Sequence, residues 1–189
     1  MSIQVLFCYI SFHKGQKMKL LLFLTLSSSL LFSSISLPAH FQAKFYQKIT
    51  NPKGKVISYS GNVRFSQGTL FKWSYKKPSK KEVCTNGSEL RVVDHDLEQV
   101  SKYFISKGLD IAKVLRKAKL HSQNIYIASY ENKKYTIQIH KNKLHSIAYF
   151  DDLDNKVQIV FKSMRYGKGK LKSKSMQCYY PKSYDVIQG

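Results

Sequence analysis

The sequence predicts a mainly β (α+β) fold: a curled antiparallel sheet forming an incomplete β-barrel, covered by a lid of short α-helices. Three observations carry this expectation. From residue 56 onward, apolar side chains recur at every second position, as in half-buried strands. Tight turns separate these segments, which favours an antiparallel arrangement that curls toward a barrel. Only residues 39–49 and 108–120 carry apolar stripes at helical spacing. Two such helices are too few for a layer of their own, but enough to cover one face or plug one mouth.

The chain begins with an export pattern. Lys17-Met18-Lys19 is a basic start, residues 20–26 are apolar apart from Thr25, and a serine-rich run ends at Ser36-Leu37-Pro38-Ala39. Together they read as a secretory signal. Six serines between Ser27 and Ser36 make a membrane-spanning helix a poor fit. Met18 is the natural start, so residues 1–17 read as an over-extended start, 18–39 as the signal and 40–189 as a single domain. Cleavage after Ser36 and after Ala39 both fit. Cys8 then leaves with the signal, and Cys84 and Cys178 remain. An even count in an oxidising compartment permits a disulfide, and two buried thiols fit the sequence as well.

Residues 39–49 place Phe41, Phe45 and Ile49 four apart, which predicts a short amphipathic helix stopped at Asn51-Pro52. Ile57, Tyr59, Val63 and Phe65 then alternate with polar residues in a first strand. Phe71, Trp73 and Tyr75 alternate with Lys72, Ser74 and Lys76 in a second, which Pro78 closes. Asn86-Gly87 marks a two-residue hairpin between strands at 83–85 and 90–93. Asp94-His95-Asp96 turns the chain into a strand at 97–105. Within 108–120, Ile111, Val114, Leu115 and Ala118 recur at three and four, with Asp110 placed to cap a second helix. Strands resume at 124–130, 134–140, 143–150, 156–164 and 176–180.

The 189 residues, 43% of them apolar, suit one hydrophobic core. The outlier is charge: 32 Lys+Arg against 11 Asp+Glu give +21. Such a balance fits nucleic acid, an anionic membrane surface or no specific partner. Nucleic acid is disfavoured, because the aromatics alternate with the basic residues along strands and so point to the opposite face. Export argues against it too. Encounter with anionic headgroups, peripheral only, is the better use of the charge.

Chemistry is sparse. There is no G-x-S-x-G elbow, no C-x-x-C pair and no phosphate-binding glycine loop. His140 and His145 have no cysteine or carboxylate at zinc spacing. Residues 151–155 lack the glycine and glutamate of a calcium loop. The sequence therefore predicts no enzyme, no cofactor and no metal site.

The order of landmarks carries more. Phe41-Gln42-Ala43-Lys44-Phe45-Tyr46-Gln47 has the form F-x-A-x-F-x-Q. Gly61, Leu70-Phe71-Lys72-Trp73, Pro78, Asn86-Gly87 and Glu98-Gln99 follow it in turn. In this order after a signal, the chain resembles the LolA family, periplasmic carriers of outer-membrane lipoproteins. The resemblance implies a monomeric periplasmic chaperone for acylated lipoproteins. An inner-membrane lipoprotein-releasing ABC transporter would load it, and an outer-membrane acceptor would unload it. The family's lid-contacting arginine falls at Gln67, which is left as a neutral candidate for the lid latch; Arg64 nearby has the opposite strand parity.

A carrier of this kind faces a simple physical demand. Exposing acyl chains to water costs about 0.8 kcal/mol per CH₂, so part of that surface must be sheltered and later released. The expected acyl-chain cavity comprises Ile57, Tyr59, Val63, Phe65, Phe71, Trp73 and Tyr75. Phe41, Phe45, Ile111, Val114 and Leu115 are the expected lid. The competing expectation is a secreted β-sheet module of envelope assembly that binds protein and no lipid.

Overall fold

In the computed structural model of the chain, the segment whose spacing predicts a first helix is a strand. The structure describes residues 35, 38–66, 70–85, 88–104, 111–169 and 171–188, with the side chains of 111–113 excepted. The predicted secretory signal up to residue 34, Gln67, the predicted Asn86-Gly87 turn, Asp110 and the Ile111 side chain lie outside the described residues. The chain divides into 1–31 and 32–189, and the sheet lies wholly in the second part.

Strand β1 spans His40–Thr50 and pairs along its whole length with β2 (Val56–Ser66). Phe41 and Phe45 therefore sit on a strand and not on a helical lid. The physical reason is that a spacing of four satisfies a period of two as well as one of 3.6. The residues between decide the matter: Ala43 continues the apolar face at every second position, whereas Lys44 and Lys48 occupy the places a helical stripe would fill.

From β2 the chain meanders through β3 (Leu70–Lys77), β4 (Lys81–Thr85), β5 (Glu89–Asp94) and β6 (Gln99–Phe104). Helix α1, Ile111–Arg116, is shorter than the predicted span, because Lys119–Ser122 leaves it as strand β7. The second meander is β8 (Ile125–Tyr130), β9 (Lys133–His140), β10 (Lys143–Phe150) and β11 (Lys156–Gly167). β11 then returns to pair with β1. The strand expected at 176–180 is absent; a 3₁₀ turn at Ser173–Met176 and an extended strap stand there, followed by β12 (Asp185–Gln188).

All of this is one twelve-stranded sheet in the order β12-β6-β5-β4-β3-β2-β1-β11-β10-β9-β8-β7. Every pairing is antiparallel except β12 with β6. The end strands β7 and β12 do not pair with each other, so the curled sheet is an incomplete barrel, as the sequence predicts.

Register divides the side chains into two faces. The inward set is Phe41, Ala43 and Phe45 on β1, Val63 and Phe65 on β2, and Phe71, Trp73 and Tyr75 on β3, continued across β8–β11. A bulge in β11 opposite Ala43, with Ser163 at φ 53°, resets the parity. Met164 and Tyr166 thereby turn inward like Phe161, while Lys162 and Arg165 both face out.

Candidate functional site: an apolar inner face with a helical cover

The inward face is lined by rings. Phe41 stacks on Phe65 with centroids 5.0 Å apart, and Phe45 meets Trp73 and Tyr75 edge-on at 4.8 and 5.1 Å. Tyr59 packs on Tyr75, and Trp73 lies 6.2 Å from Phe161. Such pairs add roughly 0.5–1.5 kcal/mol each beyond the area they bury. Phe45 reaches its central place because its cross-strand partner is Gly61. A Cβ at Gly61 would lie 2.9 Å from the Phe45 ring and would collide with the Ser74 carbonyl.

The other wall comes from the second meander: Tyr126, Ala128 and Tyr130 on β8, Tyr135 and Ile137 on β9, Leu144 and Ile147 on β10, and Val157, Ile159 and Phe161 on β11. The cavity expected from the sequence covers the first two strands alone and omits this wall. The same alternation of apolar and polar residues marks it. Val114 and Leu115 of α1, each 1% exposed, and Ala118 just after it join the same cluster. The helix thus covers the sheet beside β8, with Lys117 over the Tyr130 ring at 5.4 Å.

Of the predicted cavity residues, Val63, Phe65 and Trp73 are buried, and Tyr59, Phe71 and Tyr75 are half-buried against the cluster. Ile57 is 43% exposed near the start of β2 and stands apart. Phe41 and Phe45 are wholly buried in the middle of the sheet, as floor rather than lid.

Several phenols stand on or beside the inner face. Burial pushes Tyr75 and Tyr149 up to about 12, with the neighbouring Tyr149 and Tyr59 adding to the effect at Tyr75. Burial also raises Tyr135 and Tyr166. The Tyr75 hydroxyl donates to Gln47 Oε1 at 3.3 Å, and the Leu144 amide donates to the Tyr166 oxygen at 2.7 Å. These groups are neutral at physiological pH and supply neither a base nor a nucleophile.

The opposite face of β4–β6 carries a second, smaller core. Cys84 and Cys178 are joined as a disulfide and pack with Val93, Val100, Tyr180 and Tyr184. The strap that brings Cys178 there crosses the outside of the sheet. Arg64 Nη1 donates to the Ser175 carbonyl at 3.0 Å, Lys72 Nζ to that of Gln177 at 2.8 Å, and the Tyr179 amide to Glu82 Oε2 at 3.1 Å. Arg64 therefore faces outward, as its parity predicts. Glu82, Cys84 and Cys178 lie close enough together to suggest a metal, but both sulfurs are bonded to each other. Among the described residues no helix is long and apolar enough to cross a membrane.

A half-closed sheet with an apolar inner face and a helix over it is the geometry; comparison with known proteins supplies its kinship. The family model described as "Outer membrane lipoprotein carrier protein LolA" matches residues 38–172. This chain belongs to the LolA family. A Campylobacter jejuni protein named outer-membrane lipoprotein carrier protein is 32% identical over 148 residues, covering 78% of this chain and 86% of that one. A protein of the same name from Wolinella succinogenes is 32% identical over 124 residues, covering 65% and 72%. Among solved structures, an uncharacterized conserved protein from Thermus thermophilus superposes with a TM-score of 0.51 at 11% identity, over 81% of this chain and 92% of that one. That likeness concerns the fold alone. The LolA family match begins within two residues of β1 and ends in the strap, so it spans the apolar inner face and stops short of Cys178.

Proposed function

We propose that this LolA-family chain is a periplasmic carrier that shelters the acyl chains of lipoproteins in its hollow and shuttles them from the inner to the outer membrane. It works as a chaperone, with no catalytic step. The observation that supports this most directly is the continuous apolar inner face shared by β1–β3 and β8–β11, covered on one side by α1. A face so lined offers an acyl chain the environment it loses on leaving a bilayer, worth about 0.8 kcal/mol per sheltered CH₂. Val114 and Leu115 form the cover, and cargo competes with them for the same wall. Tyr59, Phe71 and Tyr75 are the half-buried entry positions, and Gln67 is the neutral latch. By family resemblance, an ABC transporter that releases lipoproteins from the inner membrane loads the carrier, and an outer-membrane acceptor relieves it; the carrier travels as a monomer.

The test is purification from the exported compartment followed by mass spectrometry of bound lipoproteins and lipids. Wild-type protein should retain triacylated cargo, and Phe71→Glu should lose it while its circular dichroism stays that of a folded sheet. Leu115→Glu tests the cover in the same way. Cargo capture unchanged in both variants rejects the hollow as the binding site. Equal capture of a lipoprotein stripped of its acyl chains would instead favour a protein-binding module.

A further inference from the structure

We propose that the outer face of β2, β1, β11 and β10 is a docking surface for an anionic phospholipid bilayer, with a recess that takes a headgroup phosphate. The surface is distinct from the hollow, on the other side of the same strands, and does not depend on what the hollow carries.

The first observation is the distribution of charge. Lys44 and Lys48 on β1, Lys156, Lys162 and Arg165 on β11 and Arg64 on β2 all occupy outward register positions. The outward positions of β1, β2, β10 and β11 carry no carboxylate. Elsewhere several basic residues are paired with acids: Lys72 with Glu82, Lys81 with Asp94, Arg91 with Glu89 and Lys133 with Asp152. Lys44 and Lys162 stand directly opposite each other across two strands, an arrangement that is locally destabilising. A partner bearing negative charge relieves it.

The second observation is a recess of about 470 Å³ at the β11 bulge, lined among others by Gln42, Lys44, Asn62, Arg64, Ser163 and Arg165. Cross-strand pairing sets Gln42 between Arg64 and Arg165, so amide, guanidinium and ammonium donors converge from three strands, with Arg64 Nη1 already on the Ser175 carbonyl of the strap. Such a donor set suits phosphate oxygens.

The third observation selects the occupant. Tyr46 is 53% exposed and Phe150 59%, on the same outer face as the lysines. Basic residues mixed with exposed aromatic rings suit the headgroup boundary of a bilayer, which attracts cations from a distance and accepts rings on contact. An acidic protein surface would explain the charge but leave these rings without a use.

The test is cosedimentation of the exported chain with vesicles of phosphatidylglycerol mixed with phosphatidylcholine at low ionic strength. Neutralising Lys44→Gln, Lys162→Gln and Arg165→Gln together should lower partitioning by roughly 100-fold, about fivefold per residue. A control that removes the same charge at the β3–β4 turn, Lys76→Gln, Lys77→Gln and Lys80→Gln, should bind at least ten times better than the outer-face variant. Equal losses in the two variants, equal binding to phosphatidylcholine alone or no binding at all each overturn the proposal; the last is the outcome if the partner is an acidic protein. Capture of a fluorescent fatty acid, read in parallel, should be unchanged in the outer-face variant, so loss of docking and loss of the hollow register separately.

Discussion

Replacing Cys84 and Cys178 together with alanine removes the covalent tie between β4 and the strap, and its cost can be worked from the chain. The two cysteines are 94 residues apart. Releasing a loop of that length returns conformational entropy to the unfolded chain worth about 4.7 kcal/mol at 25 °C. The total stability of a domain is about 5–15 kcal/mol, so this one bond accounts for a large share. The hydrogen bonds that Arg64, Lys72 and Glu82 make to the strap remain, at roughly 1 kcal/mol each. Urea unfolding followed by the fluorescence of Trp73, the single tryptophan, reads the loss. With a slope of about 2 kcal/mol/M, the midpoint should fall by about 2.3 M. The native emission in water should hardly change, because Trp73 faces the hollow and the disulfide lies on the other side of the sheet. A shift below about 0.5 M at unchanged slope would refute the reasoning, since the strap would then be holding without its bond.

Three further outcomes follow from the hollow. Gly61→Ala forces a Cβ against the Ser74 carbonyl and the Phe45 ring and should destabilise the domain by about 1–3 kcal/mol, read as a lower thermal midpoint. Phe45→Ala opens the floor at a cost of about 3–5 kcal/mol; in calorimetry, part of this should be recovered when a fatty acid fills the vacated space. Tyr75 and Tyr149 ionise near 12 when folded and near 10 when unfolded. Their neutral forms therefore support the fold fully below pH 10, and that support is lost as pH rises through 12. At about 1.4 kcal/mol per pH unit, each contributes about 2–3 kcal/mol, and unfolding midpoints measured across that window should fall together with tyrosinate absorbance.

Most of the sheet is legible in the sequence because a period of two is hard to mimic over six or more residues. Tyr59, Val63 and Phe65, then Phe71, Trp73 and Tyr75, keep their parity and land on one face. Residues 39–49 are ambiguous because Phe41, Phe45 and Ile49 satisfy two periods at once, and only Ala43, Lys44 and Lys48 between them discriminate. Lys119–Ser122 and Asp185–Gln188 are too short to show a period, and pairing with β8 and β6 makes them strands. The disulfide was undecidable from composition: the 5.7 Å between the two Cα atoms results from a strap whose path depends on Arg64, Lys72 and Glu82. The β8–β11 wall is hard to read for a different reason. Strands β8–β11 carry as clear an alternation as the first meander, but nothing local says that two distant meanders face each other until β11 pairs with β1.

The edges β7 and β12 never meet, and this has a mechanical consequence. In a sealed barrel the girth is fixed by strand number and stagger, and enlarging it means rupturing a column of backbone bonds. Here the seam is already unfastened, so the aperture can dilate by changing twist between neighbouring strands while every ladder stays intact. Girth is then set by twist between strands rather than by a closed ring of bonds, and can change without breaking a wall.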